Sequence, residues 1–276
     1  MSVSEQVILP AANLHPIDNL LRADRLPHIL CPGCGIGTVI HGYAYAIAES
    51  GIEEDRHVCV SGIGCSGRAA GYVNVDSYHA THGRALPFAI GIAVHNPKLE
   101  VTVISGDGDL TSIGDNHLIH AARRNANLNV ICINNFNYGM TGGQVGPTTP
   151  IGAKGSTAPL GVVERPFNLP YLAKATGAVF VARWTILHVR EFQEAVLRAM
   201  QKKGFSFIEV LAPCPTSFGK ANKIGDGLHE MEIYRQRCEI RNGATNLEEL
   251  DINLIDESVP ITVGNFVDIE RDDYLG

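Results

Sequence analysis

The run Val101-Thr102-Val103-Ile104-Ser105 is β-branched and apolar on both of its alternating faces. Such a strand has no side to offer to water, so it belongs in a parallel sheet covered by helices on both faces. His57-Val58-Cys59-Val60-Ser61 and Asn129-Val130-Ile131-Cys132-Ile133-Asn134 read the same way. Helical stretches separate them: Gly37 to Ser50, Leu86 to His95 before the stop at Asn96-Pro97, and Ile113 to Arg124. Strand, helix and strand in that order form βαβ units. The pattern resumes with a helix over 169–176, a strand over 179–183, a helix over 187–203 and a strand over 206–211. The expected fold is therefore α/β, with a central, mostly parallel sheet and helices on both faces.

Around that body, residues 1–27 carry three prolines and little periodicity, which reads as an N-terminal arm. Residues 28–247 hold the cofactor-binding domain. Residues 248–276 contain nine carboxylates and one basic residue, Arg271, and read as an acidic, solvated tail. The Gly-, Pro- and Thr-rich stretch 139–170 reads as a long ordered loop beside the site rather than a linker.

The net charge of −7, with 22 scattered basic residues, excludes the concentrated basic patch that nucleic-acid binding needs. No stretch approaches the roughly 18 consecutive apolar residues of a membrane span, and the start lacks a signal-peptide pattern, so a cytoplasmic location without membrane insertion is expected. Seven cysteines in such a chain point to free thiols and metal ligands rather than a disulfide framework.

Gly106-Asp107-Gly108-Asp109 lies at the C-terminal end of an apolar strand, where open parallel sheets place their ligands. Its glycines let backbone approach a phosphate. An aspartate in the same turn would repel that phosphate unless a cation stood between them, and magnesium accepts carboxylate, amide and phosphate oxygens together. The helix and strand that follow return Asn135 to the same sheet edge, so its amide oxygen and the carbonyl of Asn137 complete a candidate magnesium shell with Asp107.

A second constellation is built of sulfur. Cys31-Pro32-Gly33-Cys34-Gly35 aims two thiols at one centre, and Cys65, in Gly62-Ile63-Gly64-Cys65-Ser66-Gly67, and Cys214, between Pro213 and Pro215, bring the count to four. Cys59, Cys132 and Cys238 look structural. Four thiolates bind zinc as well as an iron-sulfur cluster, and composition does not separate the two.

Together these stretches resemble the beta subunit of 2-oxoacid:ferredoxin oxidoreductases over almost the whole chain. The segments that carry the resemblance are 26–35, 61–68, Thr81-His82-Gly83-Arg84-Ala85, 106–109 and Gly139-Met140-Thr141-Gly142-Gly143-Gln144. The resemblance implies the thiamine diphosphate-binding fold, with thiamine diphosphate and Mg2+ bound by Gly64, Cys65, Ser66, Gly106, Asp107, Gly108, Asp109, Asn135, Asn137, Gly139, Met140 and Thr141. It implies a [4Fe-4S] cluster on Cys31, Cys34, Cys65 and Cys214. The implied reaction is coenzyme A-dependent oxidative decarboxylation of a 2-oxoacid, with electrons leaving through the cluster to ferredoxin. An alpha subunit carrying the pyrimidine-binding domain is the implied partner, with gamma and delta subunits as further ones. Gly142 stands where other members carry a lysine, and the Gly-Met-Thr-Gly-Gly-Gln form resembles the branch that acts on 2-oxoglutarate, giving succinyl-CoA; pyruvate or branched 2-oxoacids are the alternative substrates, and a zinc-stabilised non-catalytic subunit the alternative role. Arg68, His82 and Arg84 are candidate contacts to substrate or coenzyme A, with His79 as a further cavity residue.

Overall fold

The computed structural model describes residues 15–244 and 246–274. Its first half comprises α1 (Ile36–Glu49), β1 (His57–Ser61), the single turn α2 (Ala69–Tyr72), β2 (Asp76–His79), α3 (Ala85–His95), β3 (Glu100–Gly106), α4 (Asp115–Arg123) and β4 (Leu128–Asn134). A short hairpin, β5 (Asn137–Tyr138) and β6 (Gln144–Val145), opens the long loop. There follow α5 (Leu169–Thr176), β7 (Phe180–Thr185), α6 (Val189–Gln201), β8 (Phe205–Leu211), α7 (Gly227–Arg237), β9 (Cys238–Ile240), α8 (Leu247–Leu250) and β10 (Ile261–Asp268).

Eight strands form one sheet in the order β2-β1-β3-β4-β8-β7-β10-β9. The first six in that order run parallel, and β10 joins β7 antiparallel. Every residue of β4 and of β8 is buried. The two-residue period of a strand sends their side chains into two separate apolar layers. Ile131 and Ile133 pack with Tyr43 of α1 and Phe192 of α6, whereas Val130 and Cys132 pack with Leu86 of α3 and Ala121 of α4. This is the doubly covered sheet that the apolar strands require. No helix among the described residues is long and apolar enough to cross a membrane.

Two expectations change at the termini. Residues 1–14 of the expected arm lie outside the described residues, but Ile17 and Leu20 are buried and Leu21 bridges to Val73, so residues 17–21 of that arm are packed onto the body while 23–27 are exposed. Within the expected solvated tail, 261–268 is a sheet strand, with Ile261 and Val263 buried and Phe266 nearly so. Eight of the nine carboxylates precede or follow this strand in exposed or half-buried loops and a short helix, which masks the apolar alternation between them.

A buried polar chain crosses the sheet. On β7, Arg183 donates from Nε to Glu209 Oε2 of β8 at 2.6 Å, and from Nη1 to the carbonyls of Leu250 at 2.8 Å and Thr262 at 3.3 Å. Glu209 Oε1 accepts from Asn134 of β4 at 2.7 Å, and Asn134 Oδ1 accepts from the Phe136 backbone at 3.1 Å. Both charged side chains are 1% exposed, so each compensates the other's charge inside the protein. We expect Arg183→Met to lower unfolding stability by about 3–5 kcal/mol, because it strands the Glu209 carboxylate. Urea unfolding of the purified chain checks this, and a loss below about 1 kcal/mol would show that the pair is dispensable.

Candidate active site

Three loops leave the carboxyl ends of β1, β3 and β4 side by side. β2 lies on one flank of β1 and β3 on the other, so the gap between β1 and β3 is where the connections diverge and where a sheet of this type opens to a ligand. All the residues expected to bind cofactor, from Gly64 to Thr141, line one cavity of about 110 Å3 there, and His82 joins them.

Asp107 sits at its floor, 2% exposed. Its carboxylate accepts from the Thr148 hydroxyl and from the backbone N–H groups of Gly108, Asn135 and Asp107 itself. Burial nevertheless dominates and pushes the carboxyl up to about 7, so the anion lacks sufficient compensation from the surrounding protein. The hydrogen bond from Asn135 shows that the two strand ends meet.

The loop after β4 is shaped to make that meeting possible. Phe136 adopts a left-handed conformation with φ of 63°, held by Asn134 on its N–H and by the Thr149 hydroxyl on its carbonyl at 2.6 Å. Asn135 and Asn137 flank this turn, and Asn137 Nδ2 donates to the Asn135 carbonyl at 2.7 Å. After β3 the chain winds into a π-helical turn, Asp109–Ile113, a geometry common at functional sites. Gly108 is required beside it, since a Cβ there would lie 2.4 Å from the Tyr138 ring.

Asp109 has a different function from Asp107. It accepts from Ser105 Oγ at 2.7 Å and from the N–H groups of Gly83 at 2.9 Å and Ile63 at 3.3 Å, and it contacts His82 Nδ1. One carboxylate thus ties the loops after β1 and before α3 to the end of β3. Gly64, in the first of these loops, has a φ of 97°, and no atom lies within 4 Å of where a Cβ would project, which leaves open backbone facing the cavity.

Cys31, Cys34, Cys65 and Cys214 line an adjoining cavity of about 250 Å3, with Cys65, Asn135, Gly139 and Met140 common to both. All four are free thiols. Burial pushes the Cys34 thiol up to about 11, and the charges of the other three push it further the same way; burial also raises Cys65. Gly139 stands between two of the sulfurs, because a Cβ there would lie 3.3 Å from Cys214 Sγ and 3.9 Å from Cys65 Sγ. Cys59 and Cys132 are buried in strands, and Cys238 begins β9; none of them lines the cavity. Among the described residues, no three His, Cys, Asp or Glu side chains close on a single ion.

The remaining candidates separate. Arg68 lines the cysteine cavity. Arg84 lines neither cavity, for its guanidinium donates to the carbonyls of Ile113 at 3.0 Å and Gly83 at 3.3 Å. His79 is also outside both, its Nδ1 beside the Gly67 carbonyl at 2.9 Å. The structure adds residues that the sequence does not mark. Thr148 and Ser105 hold the two aspartates, and Glu230, 1% exposed, accepts from the Cys214 N–H at 3.1 Å. Burial raises Glu230 to about 7. No spacing rule connects a residue on α7 to a cysteine sixteen positions earlier.

Comparison with known proteins gives the family. Residues 62–210 match the thiamine pyrophosphate enzyme family, C-terminal TPP-binding domain. The chain is 45% identical to the 2-oxoglutarate synthase subunit KorB of Methanocaldococcus jannaschii over 95% of each chain. It is 47% identical to the protein of that name from Archaeoglobus fulgidus, over 87% of this chain and 88% of the relative. Among solved structures, the 2-oxoglutarate:ferredoxin oxidoreductase of Magnetococcus marinus, with 2-oxoglutarate, coenzyme A and succinyl-CoA bound, superposes with a TM-score of 0.82 at 29% identity, covering 95% of this chain and 88% of that one. The chain therefore belongs to the thiamine pyrophosphate-binding beta subunits of the 2-oxoacid:ferredoxin oxidoreductase family.

Proposed function

We propose that this subunit holds thiamine diphosphate through Mg2+ beside a [4Fe-4S] cluster and serves the coenzyme A-dependent oxidation of 2-oxoglutarate to succinyl-CoA. The observation that carries the reading is the buried, poorly compensated Asp107 carboxylate meeting Asn135 one wall away from four free thiols. A divalent cation relieves such a carboxylate, and the Asn135 amide oxygen and Asn137 carbonyl are the further oxygens for it. Gly64 supplies open backbone that a diphosphate can approach. Cys31, Cys34, Cys65 and Cys214 suit a cluster, whose edges keep sulfurs apart, better than a lone zinc, which draws its ligands together.

When bound, thiamine diphosphate supplies the nucleophilic carbon and electron sink for loss of CO2, and the cluster accepts electrons singly. The protein's contribution is placement. Asp109 fixes His82 through Nδ1, leaving Nε2 as that ring's remaining hydrogen-bonding atom in the cavity wall. Glu230 holds the Cys214 backbone, and Gly139 keeps space between Cys214 and Cys65. The acid that activates the cofactor's aminopyrimidine belongs, on this reading, to an alpha subunit with the pyrimidine-binding domain, so the beta chain alone is inactive. Ferredoxin takes the electrons, and gamma and delta subunits are further partners. The substrate is drawn from the relatives' names and the bound molecules of the solved neighbour.

Three measurements check these assignments. Asp107→Ala abolishes thiamine diphosphate retention while bound iron stays at its wild-type level; retained cofactor would remove Asp107 from the metal shell. Cys65→Ala lowers bound iron and sulfide, whereas Cys59→Ala does not, and equal iron in the two variants would refute the ligand set. The assembled complex turns over 2-oxoglutarate with a higher kcat/KM than pyruvate or branched 2-oxoacids, and the reverse ranking would reassign the substrate.

A further inference from the structure

His82 stands in the wall of the Asp107 cavity with one ring nitrogen engaged and the other open. Asp109 accepts from Ser105 Oγ on one oxygen and from the N–H groups of Gly83 and Ile63 on the other, which also meets His82 Nδ1. A carboxylate that collects donors in this way takes Nδ1 as a donor too, so the ring's proton sits there. Nε2 keeps its lone pair and has no hydrogen-bond partner among the described residues. A buried acid that fixes the tautomer of a half-exposed imidazole is the arrangement that makes histidine a directed base.

Four other titratable side chains border this cavity, and each is occupied. On the reading given above, Asp107 serves the cation and Cys65 the cluster. Asp109 has donors on both oxygens. Tyr138 donates its hydroxyl to the Gly108 carbonyl at 3.2 Å, and burial holds its phenol above the ordinary range. His82 is the one base left on the described wall. The reaction requires a base: one 2-oxoacid and one thiol give one thioester, one carbon dioxide, two electrons and one proton, and that proton is the thiol's.

Resting on the function proposed above, we propose that His82 Nε2 takes the thiol proton of coenzyme A. The S–H bond breaks, the proton passes to Nε2 and the electron pair stays on sulfur. Sulfur then bonds to the acyl carbon, whose bond to the cofactor breaks with its pair left on the cofactor, while the two electrons of the oxidation leave to ferredoxin. The His82 side chain is 39% exposed, so the ring passes its proton on to solvent. Asp109 is the positioning residue, holding the tautomer and stabilising the imidazolium.

The test uses the assembled complex. His82→Asn, whose amide can still donate to Asp109 while nothing replaces Nε2, and His82→Ala both lower kcat for thioester formation by about 100-fold. Added imidazole restores part of the His82→Ala rate. Both deficits shrink above about pH 8.5, where a free thiol ionises unaided. The ionisable groups that face the ring, Asp109 and Tyr138, remain in both variants, and Arg84 is turned to the Ile113 carbonyl. A readout without turnover is acylation of the wild type by diethylpyrocarbonate, which attacks unprotonated imidazole. Coenzyme A shields His82 from it, and desulfo-coenzyme A shields it less. A loss that neither imidazole nor alkali relieves overturns the proposal, as does a His82 acylated equally fast with and without coenzyme A. Failure of the assigned reaction appears as absent turnover in the wild type, and failure of this inference as equal kcat in wild type and His82→Asn.

Discussion

Parallel register between β3 and β4 is the constraint on which the site rests. Gly106 lies opposite Ile133, so the first residues beyond each strand emerge together at one edge. That juxtaposition, more than any side chain, puts the Asp107 carboxylate against the Asn135 backbone. Because the strands are apolar on both faces, slippage by one residue would exchange the two core layers, and the register is held by the whole hydrophobic interior.

The turn after β4 depends on a second device. Arg183, Glu209 and Asn134 stand on three adjacent strands and carry hydrogen bonding from the β10 edge to the Phe136 backbone. Both charges of the pair are buried. Burying an ion pair adds little net stability compared with apolar packing, but leaves few alternative arrangements for the groups around it. Here those groups include the residue whose left-handed backbone separates Asn135 from Asn137.

Much of this was legible from residue order. Apolar strands of five to seven residues, separated by helices of eight or more, specified the central sheet, and the glycine-flanked acids and cysteines lay where such a sheet opens. What stayed hidden has common physical causes. β10 lay between carboxylates whose charge obscured the alternation of Ile261, Val263 and Phe266. β2 and the β5–β6 hairpin are too short to show a period. The division of labour between Asp107 and Asp109 required coordinates, since both are acids in one tetrapeptide, yet one faces Thr148 and Asn135 while the other gathers Ser105, His82, Ile63 and Gly83. Arg84 shows the converse: a cation near the motifs in sequence is engaged by the carbonyl of Ile113.

The wall common to the two cavities has a consequence for how such a subunit can change. Cys65, Asn135, Gly139 and Met140 each border both spaces, and Asn137 reaches from the Asn135 carbonyl to Cys214 Sγ, 3.7 Å away. On the proposed assignment, electrons passing from the cofactor to the cluster would have only the thickness of one residue to traverse. The same thinness removes independence, because a substitution at any of these shared residues reshapes both cavities at once, and variation that alters one without the other has to be sought farther out in the fold.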